Sequence, residues 1–238
     1  MVKLLFSIMV LNQKMLQRIY DDRKLKTDSF KRIIYFVGGT GCGKTTKVKK
    51  LQQTFRGYYQ YIMHDEIISF LLSQPNVFTR NLCYLYTLSD RIIATIENAK
   101  VSHKNTIFVD GHPMLSLLYS LALFKSQNGC LITEEDLKAL EGCYNEIIGY
   151  LSGYLQNFHQ RIYYINLPLE VNLELIQKGS GCNEVEENEK EEIELIRRTI
   201  HSNIFALAEQ SGITKVIEVN TLMGLDIVNM YLLGPSTC

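Results

Sequence analysis

Eight consecutive residues, Gly38-Gly39-Thr40-Gly41-Cys42-Gly43-Lys44-Thr45, carry the spacing G-x-x-x-x-G-K-[ST] and lie between an apolar run and a helical pattern. That combination is a cradle for polyphosphate. Glycines let the backbone turn its N–H groups inward and approach phosphate oxygens closely, and the N-terminus of the following helix adds positive potential. Lys44 is placed to reach the β- and γ-phosphates, and the Thr45 hydroxyl to ligate Mg²⁺. Gly38, Gly39, Thr40, Gly41, Cys42, Gly43, Lys44, Thr45 and Thr46 are therefore the expected nucleotide-binding set, with Mg-ATP or a similar triphosphate as the cofactor. The loop alone fits a motor, a GTPase and a small-molecule kinase equally well.

A second reactive group lies further along the chain. Ile107-Phe108-Val109 reads as a buried strand and ends in Asp110. In a chain with a phosphate loop, a carboxylate at such a strand end holds Mg²⁺ directly or through water, so Thr45 and Asp110 are the expected metal residues.

These groups must be carried on a rigid frame. Residues 32–37, rich in β-branched and aromatic side chains, have the continuous apolar character of a buried parallel strand. Residues 44–55 then turn helical, with Val48 and Leu51 on one face. Further strands are expected over 58–63, 105–109, 160–167 and 214–219. Helical spacing covers 64–100, broken near Pro75-Asn76, then 114–125, 133–158, 169–178 and 184–210. Strands that alternate with helices and are apolar on both faces specify a five-stranded parallel sheet covered on both sides, an α/β three-layer domain. That domain is expected over 31–238, preceded by a helical extension over 1–30. The acidic run over 184–194 reads as a solvated helix face.

Composition closes other classes. The 25 basic and 25 acidic side chains among 238 residues cancel, so no bulk charge attracts nucleic acid or anionic lipid. With 46% hydrophobic residues the chain can bury a sizeable core, and it is wrong for a disordered or collagenous protein. The 6 cysteines include no CxxC pair and read as reduced thiols of a cytoplasmic compartment. The apolar run over 4–11 is too short to span a bilayer.

Asp110-Gly111-His112-Pro113, running into Met114-Leu115-Ser116-Leu117-Leu118-Tyr119, resembles the Asp-Arg-His-Pro segment of herpesvirus thymidine kinases. Ile34-Tyr35-Phe36-Val37 and the glycines after it are similar to that family's phosphate-loop strand. Asn166-Leu167-Pro168, the helix after it and residues 178–184 stand where the family has a Leu-Pro strand end and a lid. The likeness spans residues 31–220, and its weight rests on the phosphate loop taken together with Asp-x-His-Pro. Those kinases belong to the wider deoxynucleoside kinase and thymidylate kinase-like group.

The resemblance implies a P-loop kinase fold with a lid, and transfer of the γ-phosphoryl group of ATP to the 5′-hydroxyl of thymidine or another deoxynucleoside, in supply of DNA precursors. A deoxynucleoside is then the partner, a homodimer the common assembly, and the host-cell cytosol the location if the kinase is viral. The family takes its catalytic base from a Glu-Pro pair after the second strand, where this chain has Met63-His64-Asp65-Glu66. Asp65, Glu66 and His64 all stay open for that role, and capping of the next helix is the other reading of the carboxylates. Lys44, Asp65, Glu66 and Asp110 form the expected catalytic set. Tyr84, His112, Tyr119 and Glu184 form the expected substrate set, Glu184 by its match to the family's Glu on the sugar 3′-hydroxyl.

Departures from the pattern point the other way. Gly111 replaces the family's Arg, and the lid over 178–184 keeps only Lys178 as a cation. Arg197 and Arg198, on the helix after the lid, are either substitutes for the missing arginines or exposed helix residues. Two further readings therefore stand beside the nucleoside kinase: a thymidylate kinase-like nucleoside monophosphate kinase, and a degenerate P-loop module that binds nucleotide without appreciable transfer.

Overall fold

The computed structural model describes residues 31–54, 59–61, 65–101, 106–126, 131–180, 186–213, 215–222 and 224. The expected helical extension over 1–30 and residues 181–184 of the lid expected over 178–184 lie outside them; residues 178–180 end a helix. Strand β1 (Lys31–Gly38) occupies the centre of a five-stranded sheet. It pairs in parallel with β3 (Thr106–Asp110) on one side and β4 (Phe158–Ile165) on the other. β2 (Tyr59–Tyr61) flanks β3, and β5 (Lys215–Val219) flanks β4, giving the order β2-β3-β1-β4-β5.

Both faces of β1 are buried, which is why its sequence is continuously apolar rather than alternating. Ile33, Tyr35 and Val37 face one helical layer, and Ile34 and Phe36 the other. The first layer holds α3 (Val77–Val101), α4 (Met114–Lys125), α5 (Glu134–Leu155) and α7 (Glu187–Gln210). The second holds α1 (Lys44–Thr54), through Val48 and Leu51, and α6 (Leu169–Ser180), through Val171 and Leu175. The short helix α2 (Asp65–Leu72) precedes α3 and packs on it.

Local chemistry sets the element ends. Residues 73–76 interrupt the helical stretch because Pro75 has no N–H, and Asn76 Oδ1 then accepts the Thr79 N–H at 2.7 Å to start α3. Thr133 and Asp136 cap α5 reciprocally, side chain to backbone in both directions. None of the helices among the described residues is long and apolar enough to cross a membrane.

The expected solvated acidic face fails at one residue. Glu186, Glu187, Glu189, Glu191 and Glu192 are exposed, but Glu194 is not part of that solvated face. Its side chain is only 17% exposed and holds both Arg197 and Arg198. The two arginine side chains that it holds cover its carboxylate.

Candidate active site

The phosphate loop leaves β1 where the chain changes direction in the sheet, since β2 and β3 lie to one side of β1 and β4 and β5 to the other. Crevices at the carboxyl ends of parallel strands form at such switch points. The loop closes tightly around its glycines. A Cβ at Gly38 would lie 2.5 Å from the Ile165 carbonyl oxygen and 2.7 Å from Cys42 Sγ. Cys42 is itself fully buried, so the loop offers a phosphate its backbone and not its thiol. Gly41 has φ +74°, and a Cβ there would collide with the Ile176 side chain of α6. Gly41→Ala is expected to lower the melting temperature and weaken ATP binding by at least about tenfold. Gly142→Ala is the control: on α5 a Cβ meets nothing, so a gain of roughly 0.5–1 kcal/mol is expected in the same melts.

Lys44 Nζ donates to the carbonyl oxygens of Gly38 at 2.9 Å and Gly39 at 2.7 Å. Burial alone would push its pKa down, but the groups around it, Cys42, Tyr119 and Asp110, outweigh burial and raise it. The ammonium is therefore charged at any physiological pH. Beside it, the Thr45 hydroxyl donates to Asp110 Oδ2 at 2.5 Å. Asp110 is carried opposite Phe36 of β1, and the Gly111 N–H donates to the Phe36 carbonyl at 2.9 Å, continuing the ladder past the strand end. A carboxylate, a hydroxyl and an ammonium thus converge at the loop. Among the described residues there is no cluster of three or more His, Cys, Asp or Glu side chains fit to hold a metal. Two oxygen donors do fit Mg²⁺, which keeps several waters and takes further oxygens from phosphate.

The expected substrate residues divide. Tyr119 is tied to the phosphate loop: its hydroxyl donates to the Gly38 carbonyl at 3.3 Å, beside Lys44. His112 does not face the cleft. It is 1% exposed, its Nδ1 accepts the Met114 N–H at 3.1 Å, and its ring meets Tyr35 edge-on at 4.6 Å. His112 therefore starts helix α4, where Pro113 offers no side-chain cap. The sequence pattern misleads here because a histidine after a strand end looks the same whether it points outward or inward. Tyr84, partly buried on α3, is the one that reaches the strand end. A Cβ at Gly111, whose φ is +99°, would lie 2.8 Å from its hydroxyl, so Tyr84 occupies the room a side chain at 111 would need. Asp65 and Glu66 form the first turn of α2, and their side chains, like His64 and Glu184, lie outside the described residues.

Burial holds His112 neutral, its pKa pushed down to about 3. A folded-state pKa below the unfolded value of about 6.5 means the unfolded chain binds the proton first. The stability this histidine contributes is complete above about pH 6.5 and is lost as the pH falls toward 3, a loss on the order of a few kcal/mol. Melting temperatures measured between pH 7.5 and 4.5 should fall more steeply for the wild type than for His112→Gln, which cannot titrate.

One residue escaped the reading of the sequence. Arg80, one turn before Tyr84 on α3, has its Nε buried with no hydrogen-bond partner. A buried guanidinium nitrogen left unpaired costs free energy until an acceptor meets it. No local pattern around Arg80 distinguishes it from a surface arginine, since only the packing of α3 seals that atom.

The parallel sheet, the loop and the Thr45–Asp110 pair together define a P-loop kinase fold. A family model described as an AAA domain matches residues 33–148, the part that carries both the loop and Asp110. The deoxyadenosine kinase of M. mycoides with bound dATP is similar in structure, with a TM-score of 0.58 at 13% identity, over 85% of this chain and 100% of that one. The same kinase with products dCMP and a flexible dCDP gives a TM-score of 0.53 at 14% identity, over 84% of this chain and 98% of that one. No curated protein sequence matches the chain. The likeness is one of fold, and it does not single out the herpesvirus thymidine kinases.

Proposed function

We propose that this protein transfers the γ-phosphoryl group of ATP to the 5′-hydroxyl of a deoxynucleoside, thymidine being the first to test. The observation that carries the reading is the Thr45–Asp110 hydrogen bond beside Lys44, at the carboxyl ends of β1 and β3. The loop N–H groups and Lys44 would hold the triphosphate. Thr45 and Asp110 would hold Mg²⁺, which when bound neutralises charge on the β- and γ-phosphates. In the transfer, the acceptor oxygen bonds to the γ-phosphorus while the bond from that phosphorus to the β–γ bridging oxygen breaks, and ADP leaves. The hydroxyl proton passes to a carboxylate, assigned to Asp65 or Glu66 at the start of α2. Tyr84, against Gly111, is the acceptor-side aromatic in this reading.

A second reading is favoured by Arg80. A guanidinium carries donors only, so one a helical turn before Tyr84 suits a phosphate, as a nucleoside monophosphate would bring. One experiment separates the readings: ATP-dependent phosphorylation of thymidine, deoxycytidine, deoxyadenosine, deoxyguanosine and thymidine monophosphate. Transfer to a nucleoside supports the first, and transfer confined to the monophosphate supports the second. ATP binding without transfer to any acceptor would leave a nucleotide-binding module and defeat both.

A further inference from the structure

We infer that Arg197 is a second cation at the γ-phosphate end of the loop, and that Glu194 is the residue that positions it. The inference rests on the loop binding a nucleoside triphosphate as proposed above. Lys44 marks the relevant end of the cradle, because its ammonium sits on the carbonyls of Gly38 and Gly39. Helix α7 comes near the second of these glycines. A Cβ at Gly39 would lie 4.0 Å from Ile196, and the next residue, Arg197, reaches Asn166 Oδ1 through Nη1 at 3.0 Å. Asn166 directly follows Ile165, the register partner of Gly38. Arg197 thus lies over the β1–β4 side of the switch-point crevice, across the loop from Asp110.

Its conformation is held, not free. Glu194 takes Arg197 bidentately, from Nε at 2.7 Å and Nη2 at 2.9 Å. Asn166 in turn is fixed by donating from Nδ2 to Glu218 at 2.7 Å, with His201 Nδ1 at 3.3 Å, which leaves its oxygen for Arg197. The two neighbouring arginines differ accordingly: the Arg197 side chain is 25% exposed and that of Arg198 is 73%. Arg198 is the solvated helix arginine, and Arg197 is not.

The donor count fits an anion. Glu194 serves the guanidiniums of both Arg197 and Arg198, and Glu170 and Glu218 are the other acids near them. A guanidinium has five N–H donors. Arg197 spends three, one on Asn166 and two on Glu194, which leaves two to meet phosphate oxygens. A γ-phosphate is the part of ATP that ADP lacks, so the consequence is specific: Arg197 should discriminate between the two nucleotides.

The test measures binding of fluorescent ATP and ADP analogues to the full chain, with transfer rates alongside. Arg197→Ala should weaken ATP by about ten- to a hundredfold and ADP by no more than about threefold, and lower kcat by roughly 10²-fold or more. Arg197→Lys should recover part of the ATP preference, as a point charge without the fork. Glu194→Gln should lower kcat by about tenfold with the acceptor KM unchanged, whereas Arg198→Ala should leave the ATP/ADP ratio as in the wild type. Equal losses for ATP and ADP in Arg197→Ala, or the same effect from Arg198→Ala, would overturn the inference. If the wild type binds ATP but phosphorylates no acceptor, the proposed function falls while the ATP/ADP ratio still decides the role of Arg197. If the wild type binds neither nucleotide, both fall.

Discussion

Lys44→Ala is expected to abolish measurable phosphoryl transfer, with kcat/KM lowered by on the order of 10³-fold or more. The magnitude follows from where the ammonium stands. It is the one cation of the phosphate loop, it is kept protonated by the groups around it, and its hydrogen bonds to Gly38 and Gly39 are ones a phosphate oxygen can replace without moving the backbone. Electrostatic stabilisation supplied by a fixed, partly desolvated cation is worth far more than the same charge in water. The fold should survive, because the Gly38 carbonyl still accepts from Tyr119 and the lost bonds are worth about 1 kcal/mol each at most. Transfer rates, ATP affinity and a melting curve on the same preparation check all three points. A variant that keeps a tenth of the wild-type rate would remove Lys44 from the chemistry. A variant that melts far lower would show instead that the lysine is a structural pin of the loop.

Asp110→Asn is the second large effect, and it separates charge from shape. The amide oxygen can still accept the Thr45 hydroxyl that now meets the carboxylate at 2.5 Å, so the strand end and the ladder from Gly111 to Phe36 should be preserved. What is lost is the negative charge that would draw Mg²⁺ to the loop in the proposed reading. The expected outcome is a fall of roughly 10²-fold in kcat, with the Mg²⁺ concentration for half-maximal rate raised about tenfold or more. A titration of rate against Mg²⁺ at fixed ATP measures both. An unchanged Mg²⁺ requirement would leave Asp110 as a partner of Thr45 and nothing more. Thr45→Val, which removes the hydroxyl at similar volume, should raise the same requirement, because both oxygens are assigned to one ion.

Much of this protein was legible from residue types alone. The continuous apolar run before the glycines specified a buried parallel strand because only a strand covered on both faces can be apolar at successive positions. Its observed extent, Lys31–Gly38, encloses the expected residues 32–37. The G-x-x-x-x-G-K-T string needed no tertiary information either, since a phosphate cradle is built from consecutive backbone N–H groups and its chemistry is local. The five parallel strands and their helices followed from periodicity, with ends displaced by one to three residues where Asn76, Thr133 and Asn166 cap or turn the chain.

What only the tertiary structure decided is the direction each side chain takes. His112 and Tyr84 have the same standing in sequence, yet packing against Tyr35 turns the histidine inward and packing of α3 brings the tyrosine to Gly111. Glu194 belongs to an acidic run and Arg197 to an arginine pair, and nothing local marks either one. Their roles come from α7 lying over Gly39 and from Asn166, which is distant in sequence and adjacent in space. Local pattern is set by the periodicity of one segment, whereas burial and ion pairing depend on which segments meet, and that is fixed only when the sheet and its two layers close.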